Sequence, residues 1–322
     1  MNNKSSLIKI YELQKKIRSV EEKIAKNYKD NKMRCPTHLS IGQEAVAAAT
    51  GLALNNSDIA ISYHRSHAHF LSKGGDPKKL FAELHGYEEG CSKGVGGSMH
   101  LIDLKNNFYG STAIVSNSIP IGVGLAYSLK LAKKKSIVCI YIGDAAVEEG
   151  VFFESINFSI LKKLPVVFIC ENNFFSVYTH LKNRQPPQRK IYKLAKAMGA
   201  ISYKLKQDNP FKLFKKVKNI FDNVRKKPST HFIEIETCRY LEHCGPSDDS
   251  KLGYRSIKEL VKWKKKDPLV FSKNYLIKSK LINKKKIEIL DKKIINNINK
   301  DFAYLKDLKK PQFKNINKLV YK

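Results

Sequence analysis

The sequence predicts an α/β fold in which helices flank a parallel sheet. Residues 136–142 form an apolar, β-branched run that ends at Gly143. Residues 151–164 place Phe152, Ile156 and Ile160 on one helical stripe, and Pro165 then opens a second apolar run at 166–170. Both runs are apolar throughout rather than alternating, as strands covered on both faces must be. Strand, helix and strand in succession describe a right-handed βαβ unit of a parallel sheet.

That unit puts Asp144 just past the carboxyl end of its first strand, and Glu171, Asn172 and Asn173 just past the end of its second. Parallel neighbours lie about 4.8 Å apart, so a carboxylate and a carboxamide converge there. Ligands of open α/β sheets bind in this crevice. An Asp, an Asn and nearby loop carbonyls make an all-oxygen set suited to Mg²⁺ rather than Zn²⁺. The amides of Ala145 and Ala146 are expected to lead into the helix, whose N-terminus favours phosphate. A Mg²⁺–diphosphate cofactor is the resulting expectation.

Composition bounds the remaining classes. The chain has 322 residues and a formal net charge of +31. Only eight of its sixty basic residues are Arg, and the lysines are scattered without an aromatic-interleaved groove. This texture speaks against specific nucleic-acid binding and for solvated basic faces that attract acidic partners. No run of about eighteen apolar residues is present, so no membrane span is expected. The N-terminus lacks a secretory apolar core. The six cysteines include no C-x-x-C pair. A cytoplasmic protein without disulfides or structural zinc is expected.

In chain order, apolar residues at Leu7, Tyr11, Leu13, Ile17, Val20, Ile24 and Tyr28 mark a helical arm. Residues 35–54 read as a loop carrying His38 and then an Ala-rich helix. From Ala60 come a short strand, the polar cluster His64, Arg65, His67 and His69, and a helix; the Arg fork suits phosphate oxygens. Gly90, Gly94, Gly96 and Gly97 suggest a mobile loop ending at His100. Gly122 and Gly124 fail as a nicotinamide fingerprint, because Tyr127 fills the third position and no strand directly precedes; they are expected to serve helix–helix contact. Helices at 191–198 and 212–224 and a strand at 231–238 follow. Ser256 with Glu259 forms a capping box, and Asp267-Pro268 ends that helix. The expected organisation is an arm at 1–34, an α/β domain at 35–250 and a Lys-rich helical extension of that domain at 251–322.

The text GDA…ENN, with its flanks KLPVVFICENN and FYGSTAIVSNSIPIGVGLAYSL, resembles the thiamine-diphosphate signature of the α subunits of 2-oxoacid dehydrogenase E1 components, of the pyruvate, branched-chain and acetoin types. The resemblance runs from about residue 11 to 268. It implies the thiamine-diphosphate-binding fold and specific roles. Asp144, Asn173 and the Phe175 carbonyl would hold Mg²⁺. Arg65, the Ala145 amide and His243 would hold the diphosphate, with His64 where Tyr is usual and Ala146 beside them. Ala113, Ile114 and Val115 would cradle the two rings. His38 and His67 would lie nearest the reacting carbonyl, with His243 supporting proton transfer.

Two departures stand out. Ala145 replaces the second Gly of the signature, which would strain the backbone if that position needed φ > 0. Cys244 replaces a Ser that is phosphorylated in some members. The family's activating Glu, which protonates the aminopyrimidine, sits on a separate β subunit. The resemblance therefore implies an α₂β₂ assembly that oxidatively decarboxylates a 2-oxo acid, or cleaves an acyloin, and passes the acyl group to a lipoyl-bearing acyltransferase. A thiamine-dependent carboligase, or a catalytically silent or nucleic-acid-binding protein on this scaffold, are the rival readings. A neighbouring lipoyl acyltransferase gene would favour the dehydrogenase.

Overall fold

The computed structural model describes residues 3–33 and 35–309; the expected boundary at 34 and the end of the extension, residues 310–322, fall outside the described residues. Helix α1 (Asn3–Tyr28) leads by a long loop to α2 (Glu44–Ala53), β1 (Ile59–Ser62), α3 (His67–Ser72) and α4 (Pro77–Leu84). Then come β2 (Phe108–Ser111), α5 (Ser118–Leu131), β3 (Val138–Gly143), a 3₁₀ turn at Asp144–Glu148, α6 (Gly150–Leu161) and β4 (Val166–Asn172). A small hairpin, β5 (Phe175–Ser176) and β6 (Thr179–His180), precedes α7 (Ile191–Ala197), β7 (Ile201–Lys206), α8 (Pro210–Lys226) and β8 (Thr230–Glu236). Helices α9 (Ile257–Lys265), α10 (Pro268–Lys278) and α11 (Lys284–Ala303) follow.

The sheet has six strands in the order β2-β1-β3-β4-β8-β7, all parallel. The expected βαβ unit is β3-α6-β4. Its apolar runs split between two layers by the strand period. Cys139, Tyr141, Val167 and Ile169 face a core shared with α1, α2 and α8, whereas Val138, Ile140, Ile142, Val166 and Phe168 face one shared with α5, α6 and α7. Each such side chain contributes about 1.5–3 kcal/mol by burial.

Several expectations need correction. β4 extends through Asn172, and Gly143 pairs with Glu171, so Glu171 and Asn172 are buried strand residues; Asn173 is the first residue beyond. Ala145 and Ala146 lie in the 3₁₀ turn, and α6 starts only at Gly150, after an extended Glu149 with ψ 141°. The α6 dipole therefore does not begin at their amides. Gly122 serves helix–sheet rather than helix–helix contact: a Cβ there would lie 2.5 Å from the Ile140 side chain, while Gly124 has open space beside it. The Gly90–Gly97 loop is fastened from within, because the Glu83 carboxylate accepts from the amides of Ser92, Gly94, Gly96 and Gly97 at 2.7–3.0 Å.

The sequence reading did not anticipate α4, β2, β7 or the hairpin. β2 is four residues long and contains Gly110, and β7 is an edge strand with an exposed Ile201, so neither carries a strong apolar pattern. Helix α4 has a local signal in Asp76-Pro77, since the Asp76 side chain caps the Lys78 amide.

Candidate active site

After β1 the chain turns outward to β2 and then returns to the other side of β1 for β3. The carboxyl ends of β1 and β3 are thus a topological switch point, where the diverging connections leave a crevice. Each strand delivers its next residues there: His64 and Arg65 after β1, Asp144, Ala145 and Ala146 after β3, Asn173 and Phe175 after β4, and His243 from the loop after β8. His38 from the loop before α2, and Ala113 and Val115 from the segment after β2, complete one cleft. Of the residues given cofactor or catalytic roles above, His67 and Ile114 do not line it, Ile114 being exposed.

His67 is fully buried, with Nδ1 3.2 Å from Glu21 and Nε2 2.8 Å from the Ser98 hydroxyl. Ser98 Oγ in turn accepts from the His38 amide at 3.2 Å, and Glu21 accepts from the Ser40 amide at 3.1 Å. The expectation that His67 faces a reacting carbonyl does not match this placement. Its ring is spent on the loop that carries His38. The connectivity Glu21–His67–Ser98 is that of a hydrolytic triad, but Ser98 has no exposed surface for a substrate to reach.

One end of the cleft is basic. The rings of His38, His64 and His243 pack with centroids 4.9–5.4 Å apart, and one ligand atom from each lies within 4.8 Å of the others. Burial, reinforced by Arg65, pushes their pKa values down, to about 2 for His38, about 3 for His64 and about 4 for His243. All three are neutral at pH 7. Arg65 is 2 % exposed and donates to the Leu39 carbonyl at 2.7 Å and the His243 carbonyl at 3.0 Å. It has no carboxylate partner among the described residues. Burial, with Arg239 nearby, lowers its pKa to about 10, so it stays charged. An unpaired buried guanidinium beside neutral imidazoles favours an incoming anion over a soft metal ion.

The other end is oxygen-rich. Asp144 is 2 % exposed and forms an ion pair with Arg184, whose other terminal nitrogen lies 2.5 Å from Glu148. Burial raises the Asp144 pKa, and Arg184 opposes that rise. The Asn173 side-chain oxygen accepts from the Phe175 amide at 3.0 Å, and Asn172 does the same for Phe174. These two turns carry the chain out of β4 into the hairpin through Phe174 (φ 69°) and Val177 (φ 51°). A β-branched residue at positive φ is strained, and Val177 is held by its carbonyl, which accepts from Arg239 at 2.8 Å. Ala145 is not among the residues with positive φ, so its Cβ introduces no strain.

Sequence reasoning missed Tyr63, Ser116, Ser118 and Val177 in the cleft wall, and Arg184 behind Asp144. Tyr63 donates to Glu171 at 2.6 Å beneath the floor. The only signal for Arg184 was compositional: arginine is scarce in this chain, eight of sixty basic residues.

A parallel sheet with a phosphate-ready guanidinium and an oxygen donor set at its switch point defines a cofactor-dependent α/β enzyme. The comparisons narrow this. The family model described as dehydrogenase E1 component matches residues 12–314. Pyruvate dehydrogenase E1 component subunit alpha from Rickettsia typhi is 35% identical over 291 residues, covering 90% of this chain and 88% of that protein. The protein of that name from Rickettsia felis is 36% identical, covering 86% and 84%. The chloroplastic pyruvate dehydrogenase E1 component subunit alpha-3 of Arabidopsis thaliana is 32% identical, covering 86% and 65%. The chain belongs to the dehydrogenase E1 component family.

Proposed function

We propose that the chain is the α subunit of a thiamine-diphosphate-dependent enzyme that decarboxylates pyruvate or a similar 2-oxo acid and passes the acyl group to a lipoyl carrier. The observation that carries this reading is the pairing of two ends within one cleft: a buried guanidinium without a counter-ion, and an Asp–Asn oxygen set. Thiamine diphosphate with Mg²⁺ needs both. The residues fit the group. The His38 Nδ1 and Ser118 Oγ atoms are buried without protein partners, and both residues line the cleft, as a polar ligand's binding partners would.

When bound, the cofactor supplies an electron sink for the carbon–carbon bond that breaks. The rest falls to the protein. Asp144, Asn173 and the Phe175 carbonyl hold Mg²⁺; Arg65, His64, His243 and the Ala145 amide, with Ala146 beside it, hold phosphate oxygens. Ala113 and Val115, in the cleft wall, would cradle the cofactor's rings. His38 and His243, neutral and desolvated, are placed to hold or move a proton at the substrate carbonyl. His67 acts through Ser98 on the backbone of His38, as a positioning residue.

Asp144 is the only carboxylate lining the cleft among the described residues, and it is committed to the metal end. Glu148 is engaged by Arg184 and Gln185. A β subunit therefore supplies the Glu that activates the aminopyrimidine, and the assembly is α₂β₂, feeding a lipoyl-bearing acyltransferase. No helix among the described residues is long and apolar enough to cross a membrane, and we place the enzyme in the cytoplasm. Among the described residues, 3–33 act as an arm, 35–250 as the cofactor domain and 251–309 as its helical extension.

The test is calorimetric titration of thiamine diphosphate, with and without Mg²⁺, into the chain combined with its β subunit. A dye-linked assay on pyruvate and branched 2-oxo acids follows. Mg²⁺-dependent binding, lost in Asp144→Ala with an unchanged circular dichroism spectrum, is expected. Turnover by the chain alone at the rate of the mixture would sink the two-subunit reading.

A further inference from the structure

We propose that Arg184 is a positioning residue that clamps the hairpin segment after Asn173 onto the Asp144 turn, holding the two metal-ligand loops in register. The proposal rests on the Mg²⁺–diphosphate reading above. Three groups converge on one guanidinium: Asp144 and Glu148 on its terminal nitrogens, and the Thr179 carbonyl on Nε at 3.2 Å. Gln185 adds a second bond to Glu148 at 2.8 Å.

The segment that bears Arg184 is closed on itself. The Leu181 amide donates to the Phe174 carbonyl at 2.7 Å, and the amides of Arg184 and Gln185 both return to the Leu181 carbonyl at 3.0 Å. Residues 174–185 thus form one compact loop whose first neighbour is Asn173, and whose far end is pinned to the turn that carries Asp144. Other bonds hold each turn separately, Ser116 Oγ donating to the Ala146 carbonyl at 2.9 Å and Arg239 to the Val177 carbonyl at 2.8 Å, whereas Arg184 joins one turn to the other. With the clamp in place, the Asp144 side chain has one oxygen engaged and a fixed orientation.

The competing idea is that Arg184 merely fills the cation's place and must leave when the metal arrives. Two of its three anchors, Glu148 and the Thr179 carbonyl, are independent of Asp144, so the guanidinium is held to the side by groups that the metal does not use. A Lys has a single charged nitrogen and cannot span both carboxylates and the carbonyl in one plane.

The two ideas predict opposite signs. In the complex with the β subunit, Arg184→Gln should weaken Mg²⁺-dependent thiamine diphosphate binding at least tenfold by calorimetry, and Arg184→Lys should recover part of that loss. Hydrogen exchange over residues 174–185 should rise in Arg184→Gln without any cofactor. Unchanged or tighter binding would overturn the clamp. Should Arg184→Gln fail to fold, Glu148→Ala removes the outer anchor together with the Gln185 bond to it; it should weaken binding severalfold and loosen 174–185, and no change in either would overturn the proposal. If the unaltered complex binds no thiamine diphosphate, the cofactor reading falls instead. The clamp is then judged by exchange alone, and unchanged exchange overturns it.

Discussion

Arg65 and His243 meet across the cleft floor from opposite parts of the chain: the guanidinium donates to the His243 carbonyl at 3.0 Å and lies 3.5 Å from its ring Nδ1. The contact joins the loop after β1 to the loop after β8, strands that are not neighbours in the sheet. It also places the cleft's unneutralised positive charge.

That charge gives the first prediction. A charge-assisted hydrogen bond contributes about 1.5–3 kcal/mol, so Arg65→Gln should weaken thiamine diphosphate binding by roughly ten- to a hundredfold. The thermal midpoint of the cofactor-free chain should move only slightly, since no carboxylate loses a partner. A large midpoint drop with unchanged affinity would assign Arg65 to structure alone.

The histidine cluster makes stability depend on pH below neutrality. His38, His64 and His243 have folded pKa values of about 2, 3 and 4, against about 6.5 in the unfolded chain. Between those limits the unfolded state binds protons that the folded state does not, so stability falls as the pH drops below about 6.5 and keeps falling toward 4. A thermal-midpoint series from pH 8 to 5 should be flat above 7 and decline below 6.5. His64→Gln should flatten the decline. A curve level down to pH 5 would contradict the depressed values.

Ala145 stands in the signature position usually held by Gly, with a backbone conformation open to any residue. Ala145→Gly should leave cofactor affinity within about tenfold, roughly 1.4 kcal/mol. A much larger gain on calorimetry would show that the Cβ obstructs the diphosphate.

Glu83 organises the glycine loop through four amide hydrogen bonds. Glu83→Gln swaps one acceptor oxygen for a donor facing two N–H groups, and should cost about 3 kcal/mol in denaturant unfolding. Cleavage by a protease at residues 90–97 should rise with it. Full resistance would mean that the glycines, and not the carboxylate, set the loop.

The sequence alone determined the parallel sheet, its central βαβ unit and the strand-end crevice that holds Asp144 and Asn173, for a local reason. Uniformly apolar strand runs and a helical period are written in consecutive residues, and an open α/β sheet can place a ligand only at its strand ends. The motif then named the ligand class. Tertiary structure decided what the loops do with their polar side chains. His67 and Arg65 are two residues apart, yet one is sealed against Glu21 and Ser98 while the other faces the cleft, because α3 begins between them and turns His67 inward. Glu83 tying the glycine loop, and Arg184 reaching Asp144 across 40 residues of chain, are contacts without a sequence period. They exist because a buried carboxylate must find donors wherever the fold brings them. The same rule sorts the basic residues. Arg18, Arg184, Arg225, Arg239 and Arg255 pair with buried or partly buried carboxylates, and Arg65 alone among these buried arginines is left without one, at the place where an anion is to bind.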